Sequence, residues 1–593
     1  MTDEVFEVPV VATGLLAEFA AAGLISASGV HLARTLSWLT GECRDEVLLA
    51  VALCLRAQDS GSVCLPLDEP HSVAGELPWP DPAGWQLLLA ESPLVVVGAE
   101  AAANQRPLRL IGHRLYLERN WQSEEAVRTA LAQRIALPPP ALDRQAVADA
   151  VMRVSRQRSA AQELTADQCA AVDTSVSTWT SVIAGGPGTG KTTTIAGLLR
   201  VLDDLVTHRT SVALASFTGK AAARMQQSLD ASLSGSDRDG AVWKHLQVQP
   251  ATTLHALLGA RPGGRMTRDA GNPLPHDLLI IDEMSMVSLD LMAALMAALR
   301  PGTRLVMVGD PHQLSSVDAG AVLADIVSAG LPAAGGSPRS AITVLTHSHR
   351  FAGPIQHLAD AILASRADDV LDLLASAPDG LTWAQTDPDP VLVETLNPLT
   401  ADVVTQGRAM VSAARAGDAV QALSAMDAHR VLCAHRQGRY GVGGWSRAAE
   451  AELRRAILGY GREGEWYLGR PVLITRNAPD LQISNGDTGV VVRIDGQIQV
   501  ALSSGDNPRL RSPWLLDSSE TMHAMTVHKS QGSEYDAVTV VLPSAESPLL
   551  TRELFYTAVT RARQRVRIVG TAEAIRQAVT TAARRATGLG GRV

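Results

Sequence analysis

At 593 residues, nearly half of them apolar and about a fifth charged, the chain can bury more than one core and should hold several domains. A net charge of −9 excludes a protein that coats nucleic acid through bulk charge, so any grip on DNA must come from a local groove or from a partner. Five cysteines without a Cys-x-x-Cys pair exclude a zinc or iron–sulfur site of the usual spacing; with no basic-then-apolar leader and no run of about 18 apolar residues, we expect a cytoplasmic chain with no membrane span.

In chain order, residues 1–140 read as a mainly helical first unit, as in RTLSWLTGECRDEVLLAVALCLRAQ. It closes at LPPPAL (Leu137–Leu142), whose consecutive prolines stop a helix and stay extended. Over residues 155–345, the apolar runs SVIAGG, SVALAS, LLIIDE and RLVMVGD are each followed by a helical stretch, which predicts a parallel sheet. The polar LSGSDRDG (Leu233–Gly240) predicts a small insertion near 228–250, and APDGLTWAQTDPDP (Ala377–Pro390) reads as a second break. YDAVTVVLP and RVRIVG predict a second α/β domain built from 346–430 and 520–593. Between its halves, residues 431–519 alternate short β-like runs with turns, GRPVLITRN and NGDTGVVVRIDGQIQVAL, and predict a small inserted β-barrel. The expected fold class is α/β, with two parallel-sheet domains.

GGPGTGKT (Gly185–Thr192) follows the strand SVIA and opens a helix, the context in which a phosphate loop forms. Glycines let backbone N–H groups curl around phosphates, and the helix N-terminus adds positive potential. Gly185, Gly186, Pro187, Gly188, Thr189, Gly190, Lys191, Thr192 and Thr193 are the candidate nucleotide contacts. Lys191 would act on the β/γ-phosphates and Thr192 on Mg²⁺. LLIIDE ends in Asp282, placed to hold Mg²⁺, and Glu283, placed to polarise the attacking water. Alone, such an acidic pair is more often a surface turn; paired with the phosphate loop it points to phosphoryl transfer. RLVMVGDPHQL ends another buried run at the same expected sheet edge, where Gln313 could report the γ-phosphate.

The chain holds four lysines against 48 arginines, and three of the four sit at strand ends: Lys191, Lys220 in ASFTGKAAARM, and Lys529 in MTVHKSQGSEYDAV. An ammonium serves there as a compact point charge where a planar fork would not, although the group that Lys529 meets stays open. No lysine has an acidic residue two positions before it, so a carboxylate-type metal nuclease centre is absent. The two histidines of THSHR (Thr346–Arg350) lack the carboxylates that would make them metal ligands. Arg350 and Arg561 both lie beyond the first α/β domain, where a second domain can bring a guanidinium onto a bound nucleotide.

Taken in order, LTADQ, GGPGTGKT, ASFTGKAAAR, TLHALLG, IIDEMSMV, VGDPHQL, THSHRF, MTVHKSQGSEYD and FYTAVTRAR resemble the motif series of superfamily 1 helicases, within the RecD-like branch. They span residues 164–563. DEVLLAVALCLRAQDSGSVCLPL and RLYLERNW resemble the N-terminal domain of the alpha subunit of RecBCD-type enzymes (exodeoxyribonuclease V). The resemblance implies two RecA-like motor domains, ATP and Mg²⁺ as cofactors, and 5′→3′ movement on single-stranded DNA in double-strand break repair and recombination. It also implies action at duplex ends beside RecB-like and RecC-like subunits, with residues 1–140 docked on the RecC-like one.

Residue by residue, it implies that Gln168 reads adenine, Glu534 addresses the ribose, and Gly532 lets the backbone approach the phosphates. Arg350 and Arg561 become the two fingers of the second motor domain, and Thr218, Lys220, His255, Thr526 and His528 lie along the DNA path. The chain departs from the family in carrying Ser216-Phe217 before Thr-Gly-Lys, where Ala-Pro is usual. Phe217 either stacks on a base or packs in the core, and packing is favoured. Two other readings stand beside this one: a stand-alone RecD-like helicase, and a nucleotide-gated DNA-binding assembly subunit that does not unwind. The presence of Lys191, Asp282, Glu283, Gln313 and Arg561 argues against the last.

Overall fold

The computed structural model describes the chain apart from residues 1–8, 69–76, 101–105, 157–162, 234–242, 262, 333–339, 348–352, 389–396, 504–507, 584 and 592–593. Three helices, Leu15–Ala21, Ala27–Thr40 and Asp45–Asp59, open the N-terminal unit. The third is buried from Val47 through Cys54, because VLLAVALC offers no polar residue to turn outward. Beside it lies a sheet that the helical reading did not anticipate: β1 (Cys64–Pro66), β2 (Val95–Val97), β3 (Leu108–Ile111) and β4 (Arg114–Leu117), in the order β1-β4-β3-β2. The helix Glu118–Ala136 then leaves this unit and packs on the next one, where Val127 and Leu131 share a core with Met292 and Leu295. Its buried Arg134 donates to Thr180 Oγ1 at 2.7 Å and to the Trp179 carbonyl at 2.8 Å.

The first motor sheet contains β5 (Thr180–Gly185), β6 (Thr210–Ser216), β7 (Leu246–Val248), β8 (Thr252–Thr253), β9 (Leu278–Asp282), β10 (Arg304–Gly309) and β11 (Ile342–Leu345). All its ladders are parallel, in the order β11-β5-β10-β9-β6-β7, with β8 also on β6. A parallel sheet of this kind needs helices on both faces. One face packs with Val147, Val151 and Val154 of the helix Arg144–Arg156, so this domain's core reaches back before residue 155. Residues 234–242 of the expected insertion lie outside the described residues, and β7, within the same span, is a strand of the sheet.

The second sheet begins with β12 (Leu381–Ala384) and β13 (His429–Cys433). The chain then leaves it for β14 (Pro471–Ile474), β15 (Thr488–Ile494), β16 (Gln497–Leu502), β17 (Arg509–Arg511) and β18 (Ser519–Thr521), before returning as β19 (Ala524–Thr526), β20 (Tyr535–Val541) and β21 (Ala562–Val569). The second motor sheet is parallel throughout, in the order β12-β21-β20-β13-β19. Two expectations are corrected here. The supposed break at 377–390 contains the edge strand β12, and the insert does not begin at 431, because β13 is a buried inner strand of the parallel sheet.

The inserted module itself is antiparallel, in the order β17-β16-β15-β14-β18, and its edge strands β17 and β18 share no ladder among the described residues. Its Val490, Val491 and Val500 belong to the same buried cluster as Leu432 and Val540, so it is fused to the second motor domain rather than tethered to it. Among the described residues no helix is long and apolar enough to cross a membrane.

Candidate nucleotide-binding site

Parallel register brings the carboxyl ends of β5, β9 and β10 to one edge, the place where open α/β sheets bind ligands. The loop from β5 turns into the helix Lys191–Leu205 through Gly188 and Gly190, at φ 80° and 79°, a conformation that a side chain resists. Lys191 Nζ donates to the carbonyls of Gly185 at 2.8 Å and Gly186 at 2.9 Å, and Thr189 Oγ1 to that of Gly186 at 2.9 Å, so the loop is shaped from within. Gln168 is buried behind it. It completes a capping box with Thr165 and donates Nε2 to the Thr189 carbonyl at 3.1 Å, which ties the helix Ala166–Ser177 to the loop.

Pro187, Gly188, Gly190, Lys191, Thr192 and Thr193 line one cavity of about 400 Å³ together with Asp282, Glu283, Gln313, Gly532, Glu534 and Arg561. The first motor domain supplies the residues through Gln313, and the second supplies the last three. Burial first, and then the neighbouring Glu283 charge, push the Asp282 carboxyl up to about 6, against the pull of Lys191. Glu283 sits at φ 55°, ψ 40°, a left-handed conformation that costs a non-glycine residue roughly 1–2 kcal/mol. That strain is held at the point where the strand must turn its two carboxylates into the cleft. Thr192 and Asp282 offer hard oxygen donors only, a set that suits Mg²⁺.

Gln313 is buried and donates Nε2 to Asp310 Oδ2 at 3.0 Å, while its Oε1 has no hydrogen-bond partner among the described residues. A buried acceptor left open beside a phosphate loop is poised to accept a hydrogen bond from a water or a ligand. Arg561 is buried across the cleft, where it donates Nε to the Thr557 carbonyl at 3.2 Å and Nη1 to that of Ser533 at 3.3 Å. Arg350 lies outside the described residues.

Sequence reasoning missed two residues that join the halves of the site. Arg224, on the helix Gly219–Leu233, donates to the Gly532 carbonyl at 2.7 Å and pairs with Glu534 at 2.9 Å. Tyr556, on the helix Arg552–Val559, donates to Asp310 Oδ2 at 3.1 Å. Both lie inside quoted motifs, but no spacing in the sequence reveals contacts across 310 and 246 residues.

The residues expected along DNA are more scattered. Lys220 lines a second cavity of about 270 Å³ with Asp487 and Arg509 of the insert, and its Nζ reaches Thr488 Oγ1 at 3.5 Å. Thr218 Oγ1 accepts from Ala221 N at 3.1 Å and so starts the helix that carries Lys220. Thr526 is buried, and its hydroxyl accepts from Lys529 N at 3.2 Å, which fixes the turn presenting His528. Burial, and then Arg585, hold the His528 imidazole below its ordinary value. Phe217 packs against the core and meets the exposed His255 edge-on, with ring centroids 5.6 Å apart, in accord with the favoured packing reading. Lys529 Nζ lies 3.6 Å from Glu520 Oε2 on β18, a solvent-exposed pair of small energetic weight.

Family models match residues 21–116 (RecBCD enzyme subunit RecD, N-terminal domain), 168–319 (AAA domain) and 521–569 (UvrD-like helicase C-terminal domain). The RecBCD enzyme subunit RecD of Mycolicibacterium smegmatis is 44% identical over 96% of this chain and 97% of its own length. That of Mycobacterium tuberculosis is 42% identical over 99% and 98%. The chain belongs to the RecD family. A further relative, the ATP-dependent RecD2 DNA helicase of Deinococcus radiodurans, is 30% identical over 82% of this chain but only 58% of its own. Alignment with the RecD subunits runs nearly end to end, so the N-terminal unit, both motor sheets and the insert all fall within the RecD pattern.

Proposed function

We propose that this RecD-family chain is an ATP-driven DNA helicase that moves 5′→3′ on single-stranded DNA as the alpha subunit of a RecBCD-type enzyme. One observation carries the reading. A single cavity brings the phosphate loop, Asp282, Glu283 and Gln313 of one motor domain against Gly532, Glu534 and Arg561 of the other. A site split in this way can exist in its complete form only when the two domains close, so hydrolysis and domain motion are coupled by construction.

In this reading the backbone N–H groups of the loop and Lys191 hold the phosphates of ATP. Thr192 and Asp282 would hold Mg²⁺, which neutralises charge on the β- and γ-oxygens when bound. Glu283 draws a proton from the attacking water, while the open Oε1 of Gln313 accepts that water's other hydrogen. Arg561, and Arg350 as the second finger that the motif series implies, counter the charge that develops on the transferred phosphoryl group. Glu534 addresses the ribose once it exchanges Arg224 for the sugar. Gln168, with Nε2 and Oε1 both engaged, reaches adenine only by releasing the Thr189 carbonyl; in its present pose it braces the loop.

Closure and opening ratchet a single strand past Thr218, Lys220, His255, Thr526 and His528. The acidic chain owes its grip to this groove and to RecB-like and RecC-like partners, with residues 1–140 docking on the RecC-like one. Such an assembly works at duplex ends in the cytoplasm, in double-strand break repair and recombination. This chain contributes no nuclease centre to it.

The test is an unwinding assay on duplexes with a 5′ or a 3′ overhang, run with DNA-stimulated ATP hydrolysis by the wild-type chain and Lys191→Ala. Unwinding from the 5′ overhang and loss of hydrolysis in the variant are expected; preference for the 3′ overhang, or hydrolysis that survives the substitution, would refute the reading. Co-purification from native extract separates the subunit from a stand-alone helicase of the RecD2 kind.

A further inference from the structure

The loop that follows Gln313 is gripped from two sides. At Leu314 the second motor domain holds it: the Leu314 N–H donates to Thr557 Oγ1 at 2.9 Å, and Gln531 Nε2 donates to the Leu314 carbonyl at 2.7 Å. Six residues later the grip is of a different kind. The Gly320 N–H donates to the Gly61 carbonyl of the N-terminal unit at 2.9 Å. The Gly320 carbonyl accepts from Arg585 Nη1 and from the buried Ser316 hydroxyl, each at 3.3 Å.

Arg585 belongs to the C-terminal segment, which has crossed back from the second motor domain. The Ala583 N–H still donates to Glu553 Oε2 there, at 2.7 Å. Three residues on, the Ala586 carbonyl accepts from Val63 N at 2.8 Å, and Ala586 N donates to Ser62 Oγ at 3.1 Å. Glu124 Oε2 then accepts from Thr587 Oγ1 at 3.1 Å and from Gly588 N at 2.9 Å, and Leu589 is buried in the core of the first motor domain. The crossing is short, since three residues span at most about 11 Å. The guanidinium lies tight against Gly61, where a Cβ would come within 2.7 Å of its Cζ.

We propose that Arg585–Leu589 is a latch, and that Arg585 is a positioning residue for hydrolysis. By fixing the Ser316–Gly320 loop against the N-terminal unit, it holds Gln313 at the γ-phosphate position. Among the described residues the Gln313 side chain is bonded only through Nε2, its N–H closes a turn on the Asp310 carbonyl at 3.3 Å, and the segment that follows is set by the two anchors. Loss of the second anchor leaves ATP binding to the phosphate loop intact and misplaces the group that orients water, so the effect falls on turnover and not on affinity. The latch also gives the N-terminal unit a mechanical connection to the nucleotide site. The inference rests on the motor reading above, and its failure is distinguishable from the failure of that reading.

The experiment measures DNA-stimulated ATP hydrolysis and ADP binding for the full chain, Arg585→Ala and Arg585→Lys, with thermal melts of all three. Arg585→Ala is expected to lower kcat about fivefold with KM for ATP within twofold and ADP binding unchanged. Arg585→Lys, which keeps the charge without the planar fork, is expected to recover part of that loss. If Arg585→Ala fails to fold, the Lys variant decides alone, by a lowered kcat at unchanged KM. Wild-type kcat in the variants, or a change confined to KM, overturns the latch while leaving the motor standing. Absence of turnover in the wild-type chain, both alone and assembled with its co-purified partners, overturns the motor itself.

Discussion

Tyr556 donates its phenol hydrogen to Oδ2 of Asp310 at 3.1 Å, and the two residues belong to different motor domains. The same carboxylate oxygen accepts from Gln313 Nε2 at 3.0 Å, so one buried atom joins the second motor domain to the glutamine that lines the cleft cavity. Burial, and then the Asp310 charge, keep the phenol protonated well above its ordinary range, which fixes it as the donor. Tyr556→Phe removes this bond without changing shape. We expect kcat for ATP to fall about tenfold at nearly unchanged KM, in line with roughly 1–2 kcal/mol for a buried charge-assisted bond. Steady-state ATPase measurements check the split.

Gly186 supplies a reciprocal prediction. A Cβ added there would come 2.9 Å from the Tyr556 hydroxyl oxygen, while its backbone conformation tolerates alanine. Gly186→Ala should therefore impair closure and turnover through that one clash, and adding Tyr556→Phe should restore part of what was lost. If the double variant is as slow as the two losses combined, the clash is not the cause.

Arg224 and Glu534 form a partly exposed ion pair across the cleft at 2.9 Å. Solvent limits its worth to about 0.5–1 kcal/mol. Arg224→Ala and Glu534→Ala should each weaken coupling between nucleotide and DNA. The double variant should lose less than the sum of the two, with the coupling term shrinking as salt rises. Additive losses in an ATPase double-mutant cycle would remove the pair as a functional contact.

Asp325 makes a pH prediction. Burial, assisted by Glu124 and opposed by Thr587 and Arg585, pushes its carboxyl from 3.8 up to about 6. The folded state thus holds this proton more tightly than the unfolded one. The stabilising contribution is fully present below about pH 3.8 and is lost as pH rises through about 6. At pH 7.5 Asp325→Asn should stabilise the chain by about 1–2 kcal/mol, and the gap should narrow as pH falls through 5. Urea melts across that range test it; a gap that does not change with pH would assign the effect to another cause.

Much of this molecule was legible in the order of its residues. The phosphate loop, the acidic pair after LLIID and the glutamine after RLVMVGD announce themselves because each is a buried strand that ends in a chemically committed turn. The parallel register then brings those turns to one edge. Lys529 was conspicuous by its rarity, and its neighbour proves to be Glu520, an exposed carboxylate that rarity could not name. The insert boundary was misread because HRVLC and the strands of the insert share the same β-forming composition. Only pairing with β19 and β20 assigns β13 to the parallel sheet.

The sequence by itself determined the strands that lead into the nucleotide-site motifs, the phosphate loop and the residue types that carry the chemistry, because those depend on short-range periodicity and turn geometry. Tertiary structure alone decided that Arg224 meets Glu534, that Tyr556 shares Asp310 with Gln313, and that Arg585 returns to Gly61 and Gly320. Such contacts join residues hundreds of positions apart. They arise from how packed sheets and domains orient one another, and nothing in local spacing encodes that.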